Sequence, residues 1–164
     1  MVYLRKILVT TDLSEHSLAA MEYAASFSLL YASDIHLLYV AERHHRKAPA
    51  ADSAGPHHGP EDLQKERASL EEFVQKRLAG DLRVIPVVRS GQAAVEIARF
   101  AEEEGMDVVV MATHGWTGLR HILMGSVAER TVRLSRVPVL TVKPPPMREA
   151  IIEEGDIAQE LHYR

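Results

Sequence analysis

Met111-Ala112-Thr113-His114-Gly115, then nine residues from Trp116 to Met124, then Gly125-Ser126-Val127-Ala128-Glu129-Arg130, is the stretch that decides the fold. It starts at the end of the apolar run Val108 to Met111, which reads as a buried parallel strand. It ends at Gly125-Ser126, where a helical pattern opens. The first backbone N–H groups of a helix have no internal partner, and the helix dipole favours negative charge there. A strand that runs through a glycine-marked loop into a helix start is therefore suited to an anion, and a phosphorylated ligand is expected. The same residues also fit a plain helix start at Gly125-Ser126 and a plain turn at Gly115, with no ligand at all.

Around this stretch, strands and helices alternate. Strands are expected over Lys6 to Thr11, Ile35 to Val40, Leu82 to Val88, Asp107 to Ala112 and Val137 to Val142. Pro86 suits an edge position for the third of them. Ser14 is placed to cap a helix running to about Ala32, with Leu18, Met21, Ala25 and Leu29 as its apolar stripe. Pro60 opens a second helix carrying Leu63, Leu70, Phe73, Val74 and Leu78 on one face, closed by Gly80. Ser90-Gly91 opens a third with Val95, Ile97, Ala98 and Ala101, ended by Gly105, and a fourth runs from Ser126 to about Ser135. Alternation of this kind implies parallel pairing with right-handed crossovers and helices on both faces, an α/β fold.

With 164 residues, one domain is the natural count. A formal net charge of −4 argues against nonspecific nucleic-acid binding, which needs a basic surface. Cysteine is absent, which excludes disulfides and thiolate chemistry. No apolar run is long enough to span a bilayer, and Ile7 to Val9 after Arg5-Lys6 is too short for a signal-peptide core. A cytoplasmic protein without nucleic-acid or membrane partners is expected.

The chain resembles the universal stress protein family, whose nucleotide-binding members carry G-x2-G-x9-G-[S/T] at this place. Gly115, the nine-residue loop, Gly125 and Ser126 match, whereas Ala112 stands where the pattern has its first glycine. The resemblance covers roughly residues 4 to 143 and includes Ile7-Leu8-Val9-Thr10-Thr11-Asp12, Gly91 and Pro138-Val139-Leu140-Thr141-Val142. It implies a single Rossmann-like domain over 1–143, of the adenine nucleotide alpha hydrolase-like kind, with a five-stranded parallel sheet of order 3-2-1-4-5. That order puts a switch point between strands one and four, where open α/β sheets take their ligands.

The resemblance further implies a dimeric stress-response protein that binds ATP, ADP or AMP, with Mg²⁺ as a companion. The residues matching the family's nucleotide contacts are Thr10, Thr11, Asp12, Val40, Met111, Ala112, Gly115, Gly125, Ser126 and Val127. Gly125 and Ser126 would face phosphate oxygens, Asp12 a ribose hydroxyl or a divalent cation, and Val40 the adenine. No lysine sits in the loop as a Walker-type site requires, and Arg120 and His121 are its basic candidates. No catalytic residue is named: His114 is a lone loop histidine, and a binder rather than an enzyme is expected. The alternatives are a nucleotide-independent dimeric interaction module, which Ala112 leaves open, and a weak ATP hydrolase.

Two segments stand apart from the alternating pattern. Residues 43–60 carry Ala, Gly, Pro and His without periodicity and are expected to be a loop. Its pairs His44-His45 and His57-His58 fit solvated imidazoles better than a metal site, for which no carboxylate or cysteine stands at a telling spacing. Residues 144–164 form a tail after Pro144-Pro145-Pro146, with Ile151, Ile152, Ile157 and Leu161 among acidic residues. Homodimerisation is expected through strand five, 137–142, as in similar proteins of the family, with the tail packing on the partner subunit.

Overall fold

The computed structural model describes residues 3–42, 60–78, 82–113 and 124–144. Gly115, Trp116, Arg120, His121, the four histidines of 43–60, Gly80 and the tail beyond Pro144 lie outside the described residues.

Among the described residues, five parallel strands, β1 (Lys6–Thr11), β2 (Asp34–Ala41), β3 (Val84–Ser90), β4 (Val108–Ala112) and β5 (Val139–Val142), form one sheet in the order β3-β2-β1-β4-β5. The expected order 3-2-1-4-5 is the observed one, and Pro86 lies on an edge strand. Among the described residues, four helices connect the strands: α1 (Leu18–Tyr31, after a 3-10 turn over Glu15–Ser17), α2 (Pro60–Arg77), α3 (Ala93–Glu103) and α4 (Ser126–Leu134).

The alternation of side chains along each central strand builds two cores. Ile7 and Val9, Ile35 and Leu37, and Val108 and Val110 face one cluster with Ala19, Ala20, Met21, Ala24 and Leu70 of α1 and α2. Leu8, Leu38, Val109 and Met111 face the other, with Ile97, Phe100, Ala101 and Ala128 of α3 and α4. A strand buried on both faces reads as a continuous apolar run, which is why β1 and β4 were legible.

Several expectations need correction. The buried face of α1 is Ala19, Ala20, Met21 and Ala24, whereas Leu29 is 81% exposed. Small side chains let the helix lie close against the sheet, and closeness rather than side-chain size sets which face goes inward. In α3 the buried residues are Ala94, Ile97, Phe100 and Ala101, and Val95 and Ala98 are only half-buried. Ser14 stands at the N-cap of the 3-10 turn that leads into α1, but its side chain does not cap it: its hydroxyl and its N–H both donate to Asp12 Oδ1. β3 begins and ends two residues later than expected. β5 begins two residues later, because Ser135 Oγ closes a turn on Val137, donating to its carbonyl at 2.7 Å and accepting its N–H at 3.1 Å.

Asp107 falls just before β4 and joins it to β1, with Oδ2 accepting the N–H groups of Arg5 at 2.6 Å and Lys6 at 2.8 Å. No described helix is long and apolar enough to cross a membrane.

Candidate functional site

All five strands point the same way, so their carboxyl ends share one edge of the sheet. A cavity of about 510 Å³ opens there between β1 and β4. Thr10, Thr11 and Asp12 line it from β1, Val40 from β2, Met111 and Ala112 from β4, and Gly125, Ser126 and Val127 from the start of α4. Every residue matching the family's nucleotide contacts lines this one cavity except Gly115, which like Arg120 and His121 is not among the described residues.

The β1 end is held by its own hydrogen bonds. Thr11 Oγ1 accepts the Leu13 N–H at 2.9 Å and lies 2.8 Å from Ser17 Oγ. With Asp12 Oδ1 taking both Ser14 donors, the chain turns sharply, and Leu13 takes a left-handed φ of 63°. The Asp12 carboxylate is thereby fixed at the cavity rim.

The β4 side is built differently. Thr113 N–H donates to Val142 O at 2.8 Å, and Gly125 N–H donates to Thr113 O at 2.7 Å. The start of α4 is thus tied to the end of β4. Gly125 is the N-cap residue with extended backbone, φ −68° and ψ 154°, and no side chain among the described residues caps the helix. The N–H groups of the first turn, Ser126 to Ala128, have no intrahelical partner and sit at the cavity wall. An anion is what such a helix start accommodates best.

The sequence reading missed Tyr39 and Glu42 on the β2 side, and Ala93 and Ile97 of α3. Glu42 Oε1 accepts the Ala93 N–H at 2.9 Å and so caps α3. A carboxylate just past a strand end was the available signal, the same one that drew attention to Asp12. Burial holds the Tyr39 phenol above its ordinary value, helped by the Glu66 carboxylate and its hydrogen bond, then by Asp12 and Glu42. The two sides of the cavity therefore differ in sign: carboxylates at β1 and β2, open N–H groups at α4. Among the described residues, no group of three or more His, Cys, Asp or Glu side chains is gathered to hold a metal ion.

Comparison with known proteins agrees with this architecture. The sequence model of the universal stress protein family matches residues 4–143. The chain belongs to the universal stress protein family. Universal stress protein MJ0577 of Methanocaldococcus jannaschii is 33% identical over 156 residues, covering 87% of this chain and 96% of that protein. A second universal stress protein of the same organism, MJ0531, is 32% identical over 148 residues, covering 86% and 83%.

The solved structure of MJ0577 superposes with a TM-score of 0.67 at 30% identity, over 87% of this chain and 97% of that one. A universal stress protein solved in complex with cAMP shares the fold at a TM-score of 0.62 and 20% identity, covering 86% and 98%. These likenesses place the chain in the universal stress protein fold along nearly all of its sheet and helices.

Proposed function

We propose that this universal stress protein binds an adenine nucleotide, ATP or its relatives ADP and AMP, at the carboxyl ends of β1 and β4. The observation that carries the reading is the start of α4, uncapped among the described residues, whose N–H groups border a cavity of about 510 Å³. Phosphate oxygens would lie against Gly125, Ser126 and Val127, with the Ser126 hydroxyl as a further donor. Val40, Leu38 and Ile97 offer an apolar wall for the base. Ala112 replaces a glycine of the family pattern, and its half-buried position beside an open cavity is consistent with a tolerated methyl group. The structural neighbour in complex with cAMP supports the reading only through its shared fold.

Mg²⁺ would be held mainly by phosphate oxygens, as is usual for this cation, with Asp12 as the protein's carboxylate. The protein acts as a binder in this proposal rather than as an enzyme. Asp12 Oδ1 is already engaged by two Ser14 donors, which suits holding a ligand better than abstracting a proton. The proposed setting is the cytoplasm, in a stress response.

Titration calorimetry of nucleotide-stripped protein with ATP and Mg²⁺, beside a Gly125→Val variant, tests the reading. The backbone of Gly125 is one that any residue adopts, so the variant is expected to fold. Its side chain at the cavity wall should weaken binding by about ten-fold or more, the equivalent of one lost charge-assisted hydrogen bond. No binding to the wild-type protein overturns the proposal in favour of a nucleotide-independent interaction module.

A homodimer formed through the β5 edge is part of the same proposal. The carbonyls of Pro138 and Val142 accept from β4. By strand alternation, the backbone groups of Val139 and Thr141 then face away from the sheet, ready to pair with another strand.

A further inference from the structure

Two helix starts border the cavity, and the chain has closed one of them. At α3 the Glu42 carboxylate accepts the Ala93 N–H at 2.9 Å, across 51 positions of sequence. At α4 no side chain among the described residues does the same. Glu42 and Asp12 both line the cavity, and Glu66 adds a third carboxylate against the Tyr39 hydroxyl behind that wall. The dipole of α3, which would otherwise favour an anion, is offset by Glu42, while the dipole of α4 stays available. One end of the cavity is therefore favourable to negative charge and the other is not.

We infer that Glu42 makes the β2–α3 side of the cavity selective for the uncharged, hydrogen-bond-donating nucleoside end of a ligand. A nucleotide with a second phosphate on its ribose is rejected on this basis. The inference rests on the adenine-nucleotide reading above and adds to it a specificity-determining residue. A ligand has to place its 5′-phosphates against α4, which leaves its sugar and base toward Glu42. Hydroxyl and amino groups there meet a carboxylate acceptor; a 2′- or 3′-phosphate meets like charge.

The test compares adenosine 5′-phosphate with adenosine 2′,5′-bisphosphate and adenosine 3′,5′-bisphosphate by calorimetry, on wild-type protein and on Glu42→Gln. Glutamine keeps a carbonyl oxygen for the Ala93 N–H while removing the charge. The wild type is expected to bind both bisphosphates about ten-fold or more weakly than the monophosphate, and Glu42→Gln is expected to narrow that ratio to about three-fold or less. Equal affinities in the wild type, or a ratio that survives in Glu42→Gln, overturn the inference.

Circular dichroism checks that the variant is folded. If it is not, the wild-type ratio measured from low to 1 M salt decides, because discrimination by charge shrinks with screening and discrimination by shape does not. A wild-type protein that binds ATP but fails to discriminate sinks this inference alone. One that binds neither ATP nor the monophosphate sinks the nucleotide reading as well.

Discussion

The Gly125 N–H donates to the Thr113 carbonyl at 2.7 Å, so the start of α4 is pinned to the end of β4 across eleven intervening residues. Thr113 is itself held by Val142 at 2.8 Å. The helix start that faces the cavity is thus positioned by the sheet, whatever the chain between 113 and 125 does. This ties the proposed phosphate end of the site to the sheet and presets its geometry.

Gly91 has a φ of 151°, and a Cβ added there would lie 2.9 Å from Glu96 Cγ. Glu96 is held in place by Arg99 at 2.6 Å. Gly91→Ala is expected to destabilise the protein by about 1–3 kcal/mol, from backbone strain and the close contact together. Adding Glu96→Ala should recover the contact part and leave the backbone part. Urea denaturation of both variants checks this.

Met21 is 4% exposed, whereas Leu29 is 81% exposed on the same helix. Met21→Ala should cost about 2–5 kcal/mol, the usual range for a truncated core side chain. Leu29→Ser should stay within about 0.5 kcal/mol. A large loss in Leu29→Ser would show that the exposed end of α1 is covered in solution.

Burial, and then Lys6, holds the His36 imidazole below its ordinary value, against the opposing pull of Asp34 and Glu104. Its Nδ1 is buried without a hydrogen-bond partner, and its ring packs against Phe100. The unfolded chain takes up the proton first as pH falls through about 6.5, so the folded state loses stability from there down to the lowered folded value. Above that window the contribution is fully present. His36→Leu should flatten the pH dependence of the denaturation midpoint between about pH 7.5 and pH 5. An unchanged slope would assign the dependence to other groups.

Thr141 faces its backbone away from β4, so Thr141→Pro should remove one edge donor without breaking the parallel ladder. The expected result is a dimer that dissociates at least about ten-fold more readily, read by sedimentation. A sedimentation profile identical to wild type removes β5 as the dimer contact.

The order in which strands and helices alternate was legible in the sequence, because β1 and β4 are buried on both faces and their apolar runs need no partner to be recognised. The same holds for the site residues at their ends, since a strand's carboxyl end and a helix's start are local features. Thr10, Thr11, Asp12, Met111, Ala112, Gly125, Ser126 and Val127, which match the family's nucleotide contacts, stand at such ends and meet in one cavity. The inward face of α1 was not legible. Its apolar residues lie all around the helix, and only contact with the sheet chooses Ala20 and Ala24 over Leu29 and Leu30.

Glu42 marks the same boundary. Its place just past the end of β2 is the one local sign, and that sign does not reveal which N–H it accepts. Its role comes from the pairing of β2 with β3, which sets Ala41 beside Ser90 and brings the Ala93 N–H to 2.9 Å from its carboxylate. What the sequence determined by itself is what short-range periodicity and helix ends encode: strands, helices and the start of α4 at Gly125-Ser126. What only the tertiary structure decided is which helix faces pack inward, and which helix start is already neutralised by a carboxylate from a distant part of the chain. Those outcomes depend on contacts between elements, and no local pattern carries them.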